Sequence, residues 1–552
     1  MQKLKTLLRK NILLATFFLV VFCNLIVCRC SLAQDKPPLT NQLFKKGEAL
    51  YQKQCAVCHG PQGDADGKAA YLLYPKPRDF IKDKFRLVST TSMEATDEDL
   101  FKAITRGMPG SAMPPWESLS PQDRWALVYY VRYLSEKERF KTSGEITEDM
   151  IKNGIPWELI EKMVNKKISE ENIIKIPQEP QVTPESLNKG NELFLASCAG
   201  CHGKTGKGDG QEKMIDTLDY PVKARDLTTG IFKGASSSPE LYCRMVGGMP
   251  GSPMPNYLGA MTEEQIWDLV HYVQTLPESG AAEQAHLLHE QKINAQRTDV
   301  EISLDPFADQ WSKANPVFVS LMPLWWRDDR VEGVEVKVLY SKDKIGFYLS
   351  WQDVSDDSDS VAVQSFPDGA AIQFSSDKNP PFFGMGEKDN PVSIWHWKAS
   401  WQGDEKERTD IESRYPHAAV DWYKAQKDYQ PGAPFEIKDS KTRFHDPEFI
   451  TGWGAGNPLS DPQQHGASEA ATSEGLGSYT TQKSLKNEIQ TQGINRDGKW
   501  HVVFVRQRSS ADKKDVQFKA GEVSVAFAIW DGSGGDRNGQ KMVSIWNKLI
   551  LK

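Results

Sequence analysis

Two pentapeptides in this chain have a spacing suited to covalent haem chemistry: Cys55-Ala-Val-Cys58-His59 and Cys198-Ala-Gly-Cys201-His202. Cys-x-x-Cys-His attaches a c-type haem: the cysteine thiols form thioethers with the vinyl groups, and the histidine becomes the proximal iron ligand. Each pentapeptide is followed by a methionine-proline loop. The first is Arg106-Gly-Met-Pro-Gly-Ser-Ala-Met-Pro-Pro-Trp116, and the second is Gly247-Gly-Met-Pro-Gly-Ser-Pro-Met-Pro-Asn-Tyr257. A methionine from such a loop would give the Met/His ligation that raises the potential of electron-transfer haems. Two such pairs in the same order make a chance match implausible.

Each loop holds two methionines, Met108 and Met113 or Met249 and Met254, and only one of each pair can bind iron. The segments resemble cytochrome c domains, which place the ligand in a Met-Pro-aromatic context. That resemblance favours Met113 and Met254 and leaves Met108 and Met249 to pack against the porphyrin. Bis-histidine ligation would need another histidine. The first repeat has none besides His59, and the second has only His271.

The surrounding pattern is helical and duplicated. In residues 40–137, Thr40 is placed to cap a helix with Gly47, Leu50 and Tyr51 on its inner side. Ser120-Pro121 opens a last helix with Leu127, Val131 and Leu134 in one stripe. Residues 183–277 repeat this with Thr183-Pro184, then Gly190, Leu193 and Phe194, and then a capping box at Thr262 and Gln265. Arg78-Asp79 and Arg225-Asp226 occupy matching positions, where an arginine could reach a haem propionate. The glycine-rich run Gly203–Gly210 lacks the Gly-Lys-Ser/Thr ending of a phosphate loop. Residues 138–182 read as a charged linker containing a helix at Pro156–Val164. Residues 278–298 read as a second, helical linker.

Composition sets outer bounds. A length of 552 residues leaves room for several domains. A formal charge of −7 argues against nucleic acid and against anionic lipid as main partners. Residues 1–33 read as a secretory signal: basic Lys3, Lys5, Arg9 and Lys10, an apolar run from Ile12 to Val27, and small residues at Ser31 and Ala33. Retention as an anchor is the alternative. Outside the signal, only Cys243 is not a haem cysteine, so no disulfide framework is expected. Export to the periplasm, or to the outer face of the cytoplasmic membrane, follows.

From residue 299 the period changes from helical to two. Val300–Leu304, Val331–Tyr340, Ile345–Trp351, Ala370–Phe374, Val392–Trp397, Trp500–Arg506, Val523–Trp530 and Val543–Leu551 read as strands of a β-sandwich. Residues 403–475 read as a polar insertion. The expected architecture is therefore multidomain, two all-α domains followed by an all-β sandwich. Trp325, Trp326, Trp351, Trp395, Trp397 and Trp401 would suit either a sandwich core or a carbohydrate site.

Several phrases in residues 299–552 point further: Asp368-Gly-Ala-Ala-Ile-Gln-Phe374, Pro381-Phe-Phe-Gly-Met-Gly386, Pro391-Val-Ser-Ile-Trp-His-Trp-Lys-Ala399, Gly498-Lys-Trp-His-Val-Val-Phe-Val-Arg506, Val525-Ala-Phe-Ala-Ile-Trp-Asp-Gly532 and Arg537-Asn-Gly-Gln-Lys-Met-Val-Ser-Ile-Trp546. They resemble the haem-b-binding sandwich of the ethylbenzene dehydrogenase γ-subunit family. The resemblance implies one non-covalent b-type haem held between a methionine and a lysine. Met385 matches the methionine. Lys541 is the chosen lysine, with Lys513 in reserve, and His396 is a competing ligand. The resemblance also implies an iron–sulfur β-subunit and a molybdopterin catalytic subunit as partners, and a soluble cytochrome or terminal oxidase as external carrier. Fusion to two cytochrome c domains departs from that family and looks more like γ-type subunits associated with nitrite oxidoreductases. On this reading the chain conducts electrons through two c-haems and one b-haem and has no catalytic residues of its own. The alternatives are a dihaem cytochrome with a carbohydrate-binding sandwich, and a dihaem peroxidase.

Overall fold

The computed structural model describes residues 36–278, 288–377, 379–381, 384–406, 414–415, 417, 466–482, 489–512 and 514–552. The signal at 1–33, most of the 403–475 range and Lys513 lie outside the described residues. Among the described residues no helix is long and apolar enough to cross a membrane.

The N-terminal half is helical. Helix Asn41–Gln54 starts at Thr40, whose hydroxyl accepts the Leu43 N–H at 3.2 Å, and it runs directly into Cys55. A single turn, Ala56–His59, then carries the rest of the haem motif. Ser120 caps the long helix Pro121–Thr142, with Pro121 in its first turn. These two helices cross where Gly47 lies on the backbone of Ala126, so a Cβ at Gly47 would collide with the Ala126 carbonyl. The second repeat has the same crossing. Helix Pro184–Ser197 meets helix Glu263–Thr275 with Gly190 against the Asp268 carbonyl. Overpacking of this kind costs about 1–3 kcal/mol. Gly47→Ala is therefore expected to lower the thermal transition of the first domain, and an unchanged calorimetric trace would contradict the close crossing.

The linkers differ from expectation. Within 138–182 the long helix continues to Thr142, and helix Trp157–Val164 buries Ile160, Met163 and Val164 in the first domain's core. Further on, Ile173 bridges Thr90 and Ile174 joins the core of the second domain. The charged residues that made this range look like a spacer occupy the outer faces of short packed elements. The 278–298 range is not a helix where it is described. Lys292–Asn294 and Gln296–Arg297 are strands that add parallel to Asn547–Leu551 and Gly333–Tyr340.

Two sheets form the sandwich. The nine-stranded sheet runs Thr480–Thr481, Ser468–Ser473, Val392–Lys398, Gly369–Ser375, Gly521–Trp530, Met542–Val543, Met322–Pro323. Asn547–Leu551 also pairs with Gly521–Trp530, and Lys292–Asn294 pairs with Asn547–Leu551. The six-stranded sheet runs Ile489–Arg496, Lys499–Gln507, Lys344–Gln352, Gly333–Tyr340, Gln296–Arg297, with Val317–Ser320 also on Gly333–Tyr340. Trp351, Trp395, Trp397, Phe347, Phe374 and Phe527 fill the space between the sheets.

Three further expectations are corrected. Val300–Leu304 is not a strand: Ile302 is buried beside Trp311 while Val300 is exposed, so one-sided burial produced the alternation without a ladder. Val543–Leu551 is broken at Ser544, whose hydroxyl accepts the Phe527 N–H at 2.9 Å. The 403–475 range ends in Ser468–Ser473, which is a full member of the nine-stranded sheet. Its small residues carry no β-branched signal apart from Thr472.

Candidate functional site

The two Cys-x-x-Cys-His segments have nearly the same surroundings. His59 Nδ1 lies 3.0 Å from the Arg78 carbonyl oxygen, and His202 Nδ1 lies 3.1 Å from that of Arg225. Bonding at Nδ1 fixes the ring and leaves Nε2 for an axial bond. Burial pushes His59 down to about 4 and also lowers His202, so both imidazoles are neutral, the form that binds metal. Cys55, Cys58, Cys198 and Cys201 form no disulfide with one another.

The methionine loops also repeat bond for bond. The Met108 N–H donates to the Met113 carbonyl at 3.0 Å, and Met249 does the same to Met254 at 3.2 Å. Ser111 and Ser252 hydroxyls donate to the Met108 and Met249 carbonyls at 2.7 Å. Gly107 and Gly248 adopt φ of 70° and 66° where Pro114 and Pro255 crowd them, so each turn requires glycine. His271 is buried on the last helix of the second repeat, stacked on Trp267, with Nε2 3.2 Å from Glu179.

The C-terminal residues converge on one cavity. It has a volume of about 1430 Å³, and Met385, Lys541 and His396 all line it. It lies on the outer face of the nine-stranded sheet, opposite the tryptophan core. Strand alternation sends Ile372, Trp395, Phe527 and Ile529 inward. Ala371, His396, Ala526 and Ala528 then face the cavity. Alanines on neighbouring strands leave room above the sheet that larger side chains would fill. The far wall comes from the first helical domain, with Leu50, Leu72, Pro114 and Trp116 among its residues.

Met385 has φ of 90°, an uncommon conformation for a residue with a side chain. Its N–H donates to Gln373 Oε1 at 2.8 Å, and its carbonyl accepts the Gly475 N–H at 2.7 Å. A strained backbone held from both sides is typical of positions whose side chain must be aimed. Burial pushes Lys541 down to about 8. Among the described residues it makes no ion pair, and its Nζ lies 4.4 Å from the Trp530 ring centre. The preceding Phe382 and Phe383 lie outside the described residues.

His396 stacks on Trp530 at 4.8 Å, and its Nδ1 is 3.4 Å from the Tyr479 hydroxyl and 3.6 Å from Glu469. Burial pushes it down to about 4, although Glu469 acts to raise it. Glu469 is the residue the sequence reading missed. It accepts from Lys398 at 2.6 Å and from Thr481 at 2.7 Å, making a buried charged floor beside the cavity. It falls within the range read as an insertion, and a lone glutamate among small residues gives no signal.

The tryptophans do not form a sugar platform. Trp351, Trp395 and Trp397 are at most 2% exposed between the sheets. Trp326 is held between the guanidiniums of Arg225 and Arg330. Trp325 packs on Tyr74 of the first domain, whose N–H and carbonyl bond the Leu324 carbonyl and the Trp326 N–H. Among the described residues, Asp353, Asp368 and Asp531 are close enough to share a cation. Donors already occupy much of this cluster: Gly532, Asp357 and Trp500 bond Asp368, and Arg327 bonds Asp531.

Three segments of the chain match known families. Residues 42–131 match the family described as cytochrome C oxidase, cbb3-type, subunit III, and residues 187–277 match cytochrome c. Residues 308–542 match ethylbenzene dehydrogenase. The chain thus carries two cytochrome c domains, which imply covalent haem c and an extracytoplasmic location, followed by an ethylbenzene dehydrogenase γ-type domain. A Haloferax mediterranei protein described as a respiratory nitrate reductase heme subunit is 25% identical over 222 residues, 40% of this chain and 56% of that protein. The dimethylsulfide dehydrogenase subunit gamma of Rhodovulum sulfidophilum is 28% identical over 234 residues, 42% of this chain and 65% of its own length. The chain therefore spans less than two thirds of either relative. A solved reducing HAO-like protein complex of Kuenenia stuttgartiensis aligns at 28% identity over 44% of this chain and 100% of its own, with a TM-score of 0.35.

Proposed function

We propose that the chain is the electron-transfer haem subunit of a multisubunit molybdenum oxidoreductase. It would pass electrons between an iron–sulfur subunit and an external carrier, a soluble cytochrome or a terminal oxidase. Two relatives described as a heme subunit and a gamma subunit support this reading. The layout, two cytochrome c domains before the sandwich, favours a nitrite oxidoreductase-like partner within that class.

The observation that carries the proposal is the shared wall of the large cavity. One side is the alanine-lined sheet with Met385 and Lys541, and the other is the first cytochrome c domain, including its Met-Pro loop. Haems bound at the three sites would supply one-electron carriers whose potentials depend on axial ligands and burial. Cys55, Cys58, Cys198 and Cys201 would anchor the two c-haems. His59 with Met113, and His202 with Met254, would give the axial bonds. Met385 and Lys541 would hold the b-haem. A lysine must shed its proton to bind iron, and the desolvation of Lys541 lowers the cost of doing so. Ala371, Ala526 and Ala528 keep the floor flat enough for a planar ring, and the packed first domain restricts water on the far side.

Acid–acetone extraction followed by a pyridine haemochrome assay tests this directly. The expected result is one extractable b-type haem and two c-type haems that remain with the polypeptide. If nothing is extracted from protein made with haem in excess, the b-haem assignment fails and the c-haem assignment stands.

A further inference from the structure

The seam between the two cytochrome c domains holds more buried positive charge than its own carboxylates neutralise. Its acids are engaged elsewhere: Asp83 by Arg78 and by the Thr217 hydroxyl at 2.9 Å, Asp216 by Arg86 at 2.8 Å, Glu240 by Lys102 at 2.7 Å, and Asp99 by the Ser89 and Thr96 N–H groups at 2.9 Å, so Glu240 and Asp99 reach Arg244 only through space. Arg106 from the first domain, and Arg225, Lys233 and Arg244 from the second, form no ion pair among the described residues. Arg244 is 8% exposed, and its Nη1 has no hydrogen-bond partner; Arg106 Nε also has none. The two guanidiniums converge on Gly234 and border a cavity of about 140 Å³. Burial, together with Arg86, Arg225 and Arg244, pushes Lys233 down to about 7. Buried charges without partners are costly, so such a cluster calls for anions.

The seam is also reciprocal. The Arg78 carbonyl orients His59, while its guanidinium reaches Gly251 in the second domain's Met-Pro loop. The Arg225 carbonyl orients His202, while its guanidinium donates to the Pro109 carbonyl at 2.8 Å in the first domain's loop. Each arginine thus ties the histidine side of one site to the methionine side of the other.

We propose that this seam binds the propionate carboxylates of both c-type haems, with Arg106, Arg225, Lys233 and Arg244 as shared counter-charges, so that the two sites form one coupled redox unit. The proposal rests on the reading of both Cys-x-x-Cys-His segments as haem sites. A haem carries two carboxylates, so two haems bring as many negative charges as the seam has unpaired cations. A nearby cation favours the reduced form, so removing one lowers the potential of every centre it serves.

The test is a spectroelectrochemical titration of the full haem-loaded chain and of Lys233→Met, with Arg106→Gln as a second variant. Haem content is counted first by pyridine haemochrome. Both c-type waves are expected to fall in each variant, and Lys233→Arg is expected to keep both near their original positions. Movement of one wave alone, or of neither, in a variant that retains both covalent haems overturns the shared seam. Absence of covalent haem from the unaltered chain would instead overturn the haem sites on which the seam depends.

Discussion

Met385→Ala is expected to strip the b-type haem from the chain while both c-type haems remain. Loss even of an outer partner of a metal ligand costs about 10–100-fold in affinity, so loss of an axial ligand is expected to cost at least about tenfold. The measurement is extractable haem per polypeptide together with the reduced spectrum. The variant suits the test because the backbone bonds of Met385, to Gln373 and Gly475, do not use its side chain. Retention of extractable haem with an unchanged spectrum would remove Met385 from the site. Lys541→Ala should act in the same way. Lys513→Ala should leave the haem in place if Lys541 is the ligand.

Glu469→Gln is expected to destabilise the sandwich by about 3 kcal/mol, the lower end of the cost of breaking a buried ion pair, because Lys398 retains some contact with solvent. For a unit of this size that is a fall in the melting temperature of about 6–12 °C. Burial alone would raise the Glu469 carboxyl. The Lys398 ammonium, 2.6 Å away, outweighs it and holds the group well below the usual carboxylate range. The sign follows from this. A depressed folded value gives stability that is present above the unfolded carboxylate value of about 4.3 and is lost as pH falls toward the folded one. The groups facing Glu469 are Lys398, His396, Tyr479 and Thr481. Calorimetry between neutral pH and about pH 3 should therefore show an acid-labile component in the parent that the variant lacks. Identical profiles would mean that Glu469 does not carry the acid sensitivity.

The legibility of these features in the sequence depends on how local they are. Cysteine spacing, N-caps at Thr40, Ser120, Thr183 and Thr262, and the alternation in Val392–Lys398 or Gly521–Trp530 are set by neighbouring residues and could be read directly. The cavity was legible only in part. Ala526 and Ala528 alternate with Val525 and Phe527, but small residues on an outward face look the same whether they border solvent or a ligand. Edge strands such as Lys292–Asn294 depend on a partner strand more than two hundred residues away. The arginine seam leaves no periodic trace, because it forms where two separately folded units meet. Position alone does not say which way the Arg78 side chain turns, and it turns toward Gly251 of the other domain.

The position of Cys58 has a consequence for the order of events during biogenesis. Cys58 packs beside Leu73, Ala112, Leu324 and Val543, so its thiol faces the junction with the sandwich. Tyr74 fastens the same junction through its main chain to Leu324 and Trp326, and its hydroxyl reaches the Pro221 carbonyl of the second cytochrome c domain at 2.5 Å. An enzyme that joins a porphyrin vinyl group to Cys58 needs that thiol exposed. With haem attached at Cys58 as proposed, attachment is expected to precede closure of this junction, which would then shield the thioether.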